Sequence, residues 1–77
     1  MITDKVKHIL SQQLGIETIK IGESAHLVQD LGADSMDLLE IVLSLEHEFH
    51  VKIHEDEYSA AATVDKIVAL VATKSAK

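Results

Sequence analysis

Residues 35–49, Ser-Met-Asp-Leu-Leu-Glu-Ile-Val-Leu-Ser-Leu-Glu-His-Glu-Phe, constrain this chain more than any other segment. The run contains no glycine or proline. Asp34 stands before it as an N-cap, and Asp37 falls in the first turn, where the helix dipole favours negative charge. At about 100° per residue, Leu38, Ile41, Val42, Leu45 and Phe49 share one face, the core face. Met36, Leu39 and Leu43 fall on a second, adjacent stripe. Asp37, Glu40 and His47 flank the far side of that stripe, and Glu46 its other side. An amphipathic helix needs one buried stripe. The second is surplus, and it belongs either under a loop or against a partner.

The rest of the chain has to cover the first stripe. With 77 residues it has room for one domain, 1–77, with a thin core, since a domain this small buries only about 60% of its unfolded surface. Thr3 fits an N-cap, and Val6, Ile9, Leu10 and Leu14 follow at one-face helical spacing, so a first helix is expected over 3–14. Gly15 fits the left-handed residue past its end. Thr63 fits the cap of a last helix in which Val64, Ile67, Val68 and Val71 repeat at 3.6 spacing. Lys74 suits its negative pole, and the tail 73–77 is expected to fray. A short helical turn is expected near 56–60. Residues 16–34 have no good helical period, and a loop this long is normally functional or disordered. Ile16, Ile19, Ile21, Leu27, Val28 and Leu31 are apolar anchors that favour a loop pinned across the helices. An alternative pairs Ile19-Lys20-Ile21 with Val51-Lys52-Ile53 as two short strands, which alone are marginal. The expected fold is all-α: a small four-helix up-down bundle, three main helices plus one short one, with a long first loop.

Charge and composition exclude several function classes. Thirteen acids against seven bases give a formal charge of −6 with histidines neutral. Nucleic-acid binding relies on Lys and Arg neutralising phosphates, so nucleic acid is not an expected partner. Basic protein surfaces are, because a field of one sign steers association. With no cysteine, the chain brings neither a disulfide nor a thiol of its own. Any thioester chemistry must use a sulfur carried on a prosthetic group. The N-terminal residues lack the apolar run of a signal peptide, and no run approaches the ~20 residues that span a bilayer. A cytoplasmic monomer without membrane insertion is expected.

Ser35 alone says little, because serine near a helix start is common. Its surroundings say more. Asp30-Leu31-Gly32-Ala33-Asp34-Ser35-Met36-Asp37, running straight into an apolar helix, closely resembles the signature of the acyl carrier proteins, and the likeness extends over nearly the whole chain. The resemblance implies that a separate phosphopantetheinyl transferase esterifies Ser35 with 4′-phosphopantetheine from coenzyme A. It implies acyl intermediates of fatty acid or related synthesis held as thioesters on that arm, and a growing chain lodged between the helices. Basic patches on acyl-chain synthases and acyltransferases would then dock on Asp34, Met36, Asp37, Leu39, Glu40, Leu43 and Glu46. The local chemistry agrees: a phosphodiester at a helix N-terminus meets unpaired N–H groups, and Gly32 and Ala33 are expected to keep the approach uncrowded. No Gly-x-Ser-x-Gly elbow exists and no histidine is near Ser35 in sequence, so no catalytic residue is assigned. An aminoacyl, peptidyl or D-alanyl carrier would use the same serine, and a cofactor-free helical adaptor would use only the surplus stripe.

Departures from the family's pattern lie in and just after the second helix. His47, His50, Lys52 and His54 occupy positions that are acidic in typical members, proline being frequent at the last. Met36 replaces the more usual leucine, and Leu38 a small polar residue. His47 and His50 are one turn apart, but structural zinc prefers four ligands with Cys or acidic help, and no metal is assigned. Imidazoles titrate within pH 5–8, so charging all five histidines takes the net charge from −6 to −1. Binding to a basic partner is therefore expected to weaken near pH 6.

Overall fold

The first helix, α1, runs from Ile2 to Leu14 in the computed structural model, which describes residues 2–75. Val6 and Leu10 are its buried residues, with Ile9 and Leu14 packed partly against the core. Gly15 ends it at φ +70, its N–H donating to the Ser11 carbonyl at 2.8 Å. That backbone region is one glycine enters without a Cβ penalty. Then come α2 (Ser35–Phe49), the short α3 (Glu55–Ala60) and α4 (Val64–Ser75). No strand occurs among the described residues, and α1 packs against both α2 and α4. No described helix is long and apolar enough to cross a membrane.

The core is aliphatic, as the near-absence of aromatic residues requires. Its fully buried side chains include Leu10, Ile21, Ile41, Leu45, Ile67 and Val71. Phe49 and Tyr58 only lean on this cluster. On α2 the core face falls where its spacing puts it: Ile41, Val42 and Leu45 are buried, and Leu38 and Phe49 half-buried. On α4 the buried residues are Val64, Ile67 and Val71, with Val68 at the margin. This helix persists through Ser75, past the expected fraying point, and Lys74 pairs with Glu57 of α3 at 2.9 Å. The last two residues of the 73–77 tail lie outside the described residues.

The long loop is pinned, though by fewer side chains than its composition suggests. Ile21 and Leu27 are buried, whereas Ile19 is 90% exposed and Val28 is also exposed. Backbone hydrogen bonds do the remaining work. Leu27 N–H donates to the Ala62 carbonyl at 2.9 Å, and Val64 N–H to Ala25 at 3.1 Å, around an isolated antiparallel bridge between His26 and Thr63. Asp65 N–H donates to Glu23 at 2.8 Å. The two-strand alternative fails at both ends. Residues Thr18–Lys20 form a 3-10 turn, and the Ile53 N–H donates to the Glu46 carboxylate at 2.8 Å instead of to a strand.

Candidate functional site

The head of α2 is built by two aspartates. Asp34 is extended at φ −98, ψ −176, and its carboxylate accepts from the Asp37 N–H at 2.8 Å. The Asp37 carboxylate returns the bond, accepting from the Asp34 N–H at 3.1 Å. This reciprocal capping box satisfies two of the orphan donors of a helix start. Leu38 N–H donates to the Asp34 carbonyl. Among the described residues the amides of Ser35 and Met36 have no acceptor, and they open the helix where its dipole is positive. Ser35, the first helical residue, is exposed. An exposed hydroxyl beside two unpaired amides fits a covalently attached phosphate.

The approach to Ser35 differs from the sequence expectation in one respect. Gly32 adopts φ +77, so its lack of a side chain serves backbone conformation. Ala33 does not face the approach at all. It is buried, and its N–H donates to the Leu27 carbonyl at 2.9 Å. The residue two places before Ser35 is thus a core anchor that fixes where the helix begins.

Along α2 the surplus stripe stays uncovered: Met36 is 61% exposed, Leu39 45% and Leu43 54%. Asp34 and Glu40 are exposed, Asp37 and Glu46 half-buried. Residue spacing did not reveal Gln13. From α1, its side-chain amide donates to the carboxylates of both Asp37 and Glu40, holding the two acids together. Nothing local in the sequence signals this, since Gln13 is 24 residues from Asp37. The Asp34 amide, then the Gln13 amide, hold the Asp37 carboxyl below its ordinary value, with desolvation opposing. Glu46 has one oxygen engaged by the Ile53 N–H, which ties the end of α2 to the segment after it. Glu48 pairs with Lys5 of α1 at 3.5 Å in an exposed bridge.

Hollows border α2 on either side. On the α1 side, Leu43 and His47 face Ile9 and Gln12 across a shallow groove of about 490 Å³. On the α3 side, Leu38 meets Leu27, Val28, Tyr58 and Ala61 around a cleft of about 270 Å³. The second has the more apolar lining. Leu38 is thus both core residue and cleft wall, which its helical spacing alone does not indicate.

The capped helix thus opens on an exposed serine and is held by an aliphatic four-helix core, the frame of a small helical carrier-type domain. The family model described as the phosphopantetheine attachment site matches residues 4–71. The acyl carrier protein of Thermotoga maritima is 41% identical over 73 residues, covering 95% of this chain and 90% of that one. That of Clostridium acetobutylicum is 37% identical, covering 88% of each. A solved structure of the acyl carrier protein from Enterococcus faecalis superposes with a TM-score of 0.81 at 30% identity, covering 95% of this chain and 92% of that one. The chain belongs to the acyl carrier proteins, and its cofactor is phosphopantetheine.

Proposed function

We propose that Ser35 is the residue esterified by 4′-phosphopantetheine, and that residues 1–77 act as one carrier domain that performs no catalysis itself. The observation that carries this reading is an exposed serine at the first position of a capped helix, within the stretch matched by the phosphopantetheine family. The arm supplies a flexible tether ending in a thiol, on which acyl groups of fatty acid or related synthesis are held as thioesters. The chain's own part is to hold the phosphate end at the amides of Ser35 and Met36 and to keep that end of the helix rigid through the Asp34–Asp37 box. The cleft bordered by Leu27, Leu38 and Tyr58 offers an apolar shelter beside the same helix.

Docking falls to the exposed stripe. Met36, Leu39 and Leu43 supply apolar contact, and Asp34, Asp37 and Glu40 meet Lys and Arg of a phosphopantetheinyl transferase, synthase or acyltransferase. Gln13 helps by presenting two of these carboxylates already ordered. The free oxygen of Glu46 extends the acidic border. In this reading the protein works as a cytoplasmic monomer. Incubation with coenzyme A and a phosphopantetheinyl transferase, followed by intact mass, tests the assignment. The wild type gains the mass of one arm and Ser35→Ala gains none. An arm on the Ser35→Ala variant, or none on the wild type, defeats it.

A further inference from the structure

The loop leading to Ser35 is held by an imidazole. His26 Nδ1 accepts from the Val28 N–H at 3.2 Å and from the Gln29 N–H at 3.1 Å. The backbone N–H of His26 donates to Asp30 Oδ2 at 2.7 Å, and its carbonyl accepts from Asp30 and Leu31. The residue caps the turn 27–31 much as Ser or Asp caps a helix, with a ring nitrogen as the acceptor. An imidazole nitrogen accepts only when it carries no proton, so the proton sits on Nε2. His26 also lines the α3-side cleft beside Leu27, Val28, Leu38 and Tyr58, and it pairs with Thr63 at the start of α4.

We propose that His26 is a proton-sensitive latch on this cleft: neutral, it holds the Leu27–Val28 wall in place, and protonated, it releases the Val28 and Gln29 amides and the wall loosens. Protonation of Nδ1 removes its lone pair and sets one donor against two others. The effect reaches the attachment end of α2, because Gly32 N–H donates to the Val28 carbonyl and Ala33 N–H to Leu27. Around His26, Asp30 within the turn accepts from its backbone N–H, Tyr58 of α3 lines the same cleft, and Asp65 in the first turn of α4 accepts from the Thr63 hydroxyl. On the α2 side the cleft wall is Leu38. None of these is a cation, and Asp30 offers the released imidazolium a partner. That the cleft shelters an acyl chain rests on the function proposed above, whereas the latch itself does not.

Heteronuclear NMR on the unmodified full chain tests this apart from arm attachment, which is read by mass. At pH 8 the His26 ring is expected as the Nε2–H tautomer. Between pH 8 and pH 5 the exchange protection of Val28 and Gln29, corrected for intrinsic rate, falls roughly tenfold, as loss of a hydrogen bond requires. The midpoint follows the His26 ring titration. In His26→Ser, whose hydroxyl accepts at either pH, protection of the two amides stays the same. An Nδ1–H tautomer at pH 8, unchanged wild-type protection, or a His26→Ser protein that loses protection as the wild type does would overturn the latch. If the variant does not fold, the wild-type tautomer and exchange decide the matter.

Discussion

The two apolar stripes of α2 share one helix and one set of residue types, yet they end in opposite surroundings. Ile41, Val42 and Leu45 lie in the core, while Met36, Leu39 and Leu43, interleaved with them in sequence, keep roughly half or more of their surface in water. Neighbours make the difference. The first stripe faces helices that supply Leu10, Ile67 and Val71. Beside the second, α1 offers Gln13, whose amide binds the bordering carboxylates. One helix thus carries a structural face and a presenting face, each composed of residues that hydrophobicity alone does not tell apart.

The sharpest way to break this contrast is to truncate one leucine from each stripe. Leu45→Ala is expected to cost about 2–5 kcal/mol in urea unfolding, because it empties a fully buried site. Leu43→Ala should stay within about 0.5 kcal/mol, as exposed truncations do. Comparable losses in both would mean that the second stripe is structural. Next in size comes partner affinity. Leu39→Ala should weaken binding to a cognate synthase by about 1–2 kcal/mol, measured by calorimetry, with its urea midpoint unmoved.

A third variant acts on the helix as a whole. Asp34→Ala removes the acceptor for the Asp37 N–H and should lower stability by about 1 kcal/mol, read from the same unfolding curves. Both faces then lose their support together. The smallest effect lies in acid. Asp37, Glu57 and Asp65 all have carboxyls held below their ordinary values of 3.8, 4.5 and 3.8. For Asp37 the first cause is the Asp34 amide, for Glu57 the His54 amide, and for Asp65 the Thr63 hydroxyl. Groups with depressed folded values contribute stability that is present above their unfolded values and lost as pH falls through the lower folded ones. The share of the urea midpoint owed to these three carboxylates should therefore hold from neutrality to about pH 5 and decline below about pH 4. Asp37→Asn should show a shallower decline, and an unchanged slope would mean that the presenting side contributes nothing to stability.

Much of this architecture was legible from spacing and caps. The end of α1, the Asp34 cap, the Asp37 first-turn acid, Gly15 and the short third helix follow from local rules, because each is decided within about four residues, whereas Thr3, expected as the cap of α1, lies inside a helix that begins at Ile2. The loop is less legible. Ile19 and Val28 looked like anchors because they are apolar, but a loop has no period that says which side chains turn inward. The ladder linking 23–27 with 62–65 joins segments almost forty positions apart, and it leaves no pattern in either segment.

By itself, the order of residues determined that a long capped helix would open on Ser35 and carry more apolar surface than one small core uses. Those outcomes depend on angular period and on donors and acceptors a few residues apart. Only the packed structure decided which stripe met water, that Ala33 is an anchor, that Gln13 ties Asp37 to Glu40, and that a histidine caps the turn before the serine. Each of these depends on groups that folding alone brings within hydrogen-bonding or van der Waals range, so no local pattern records them.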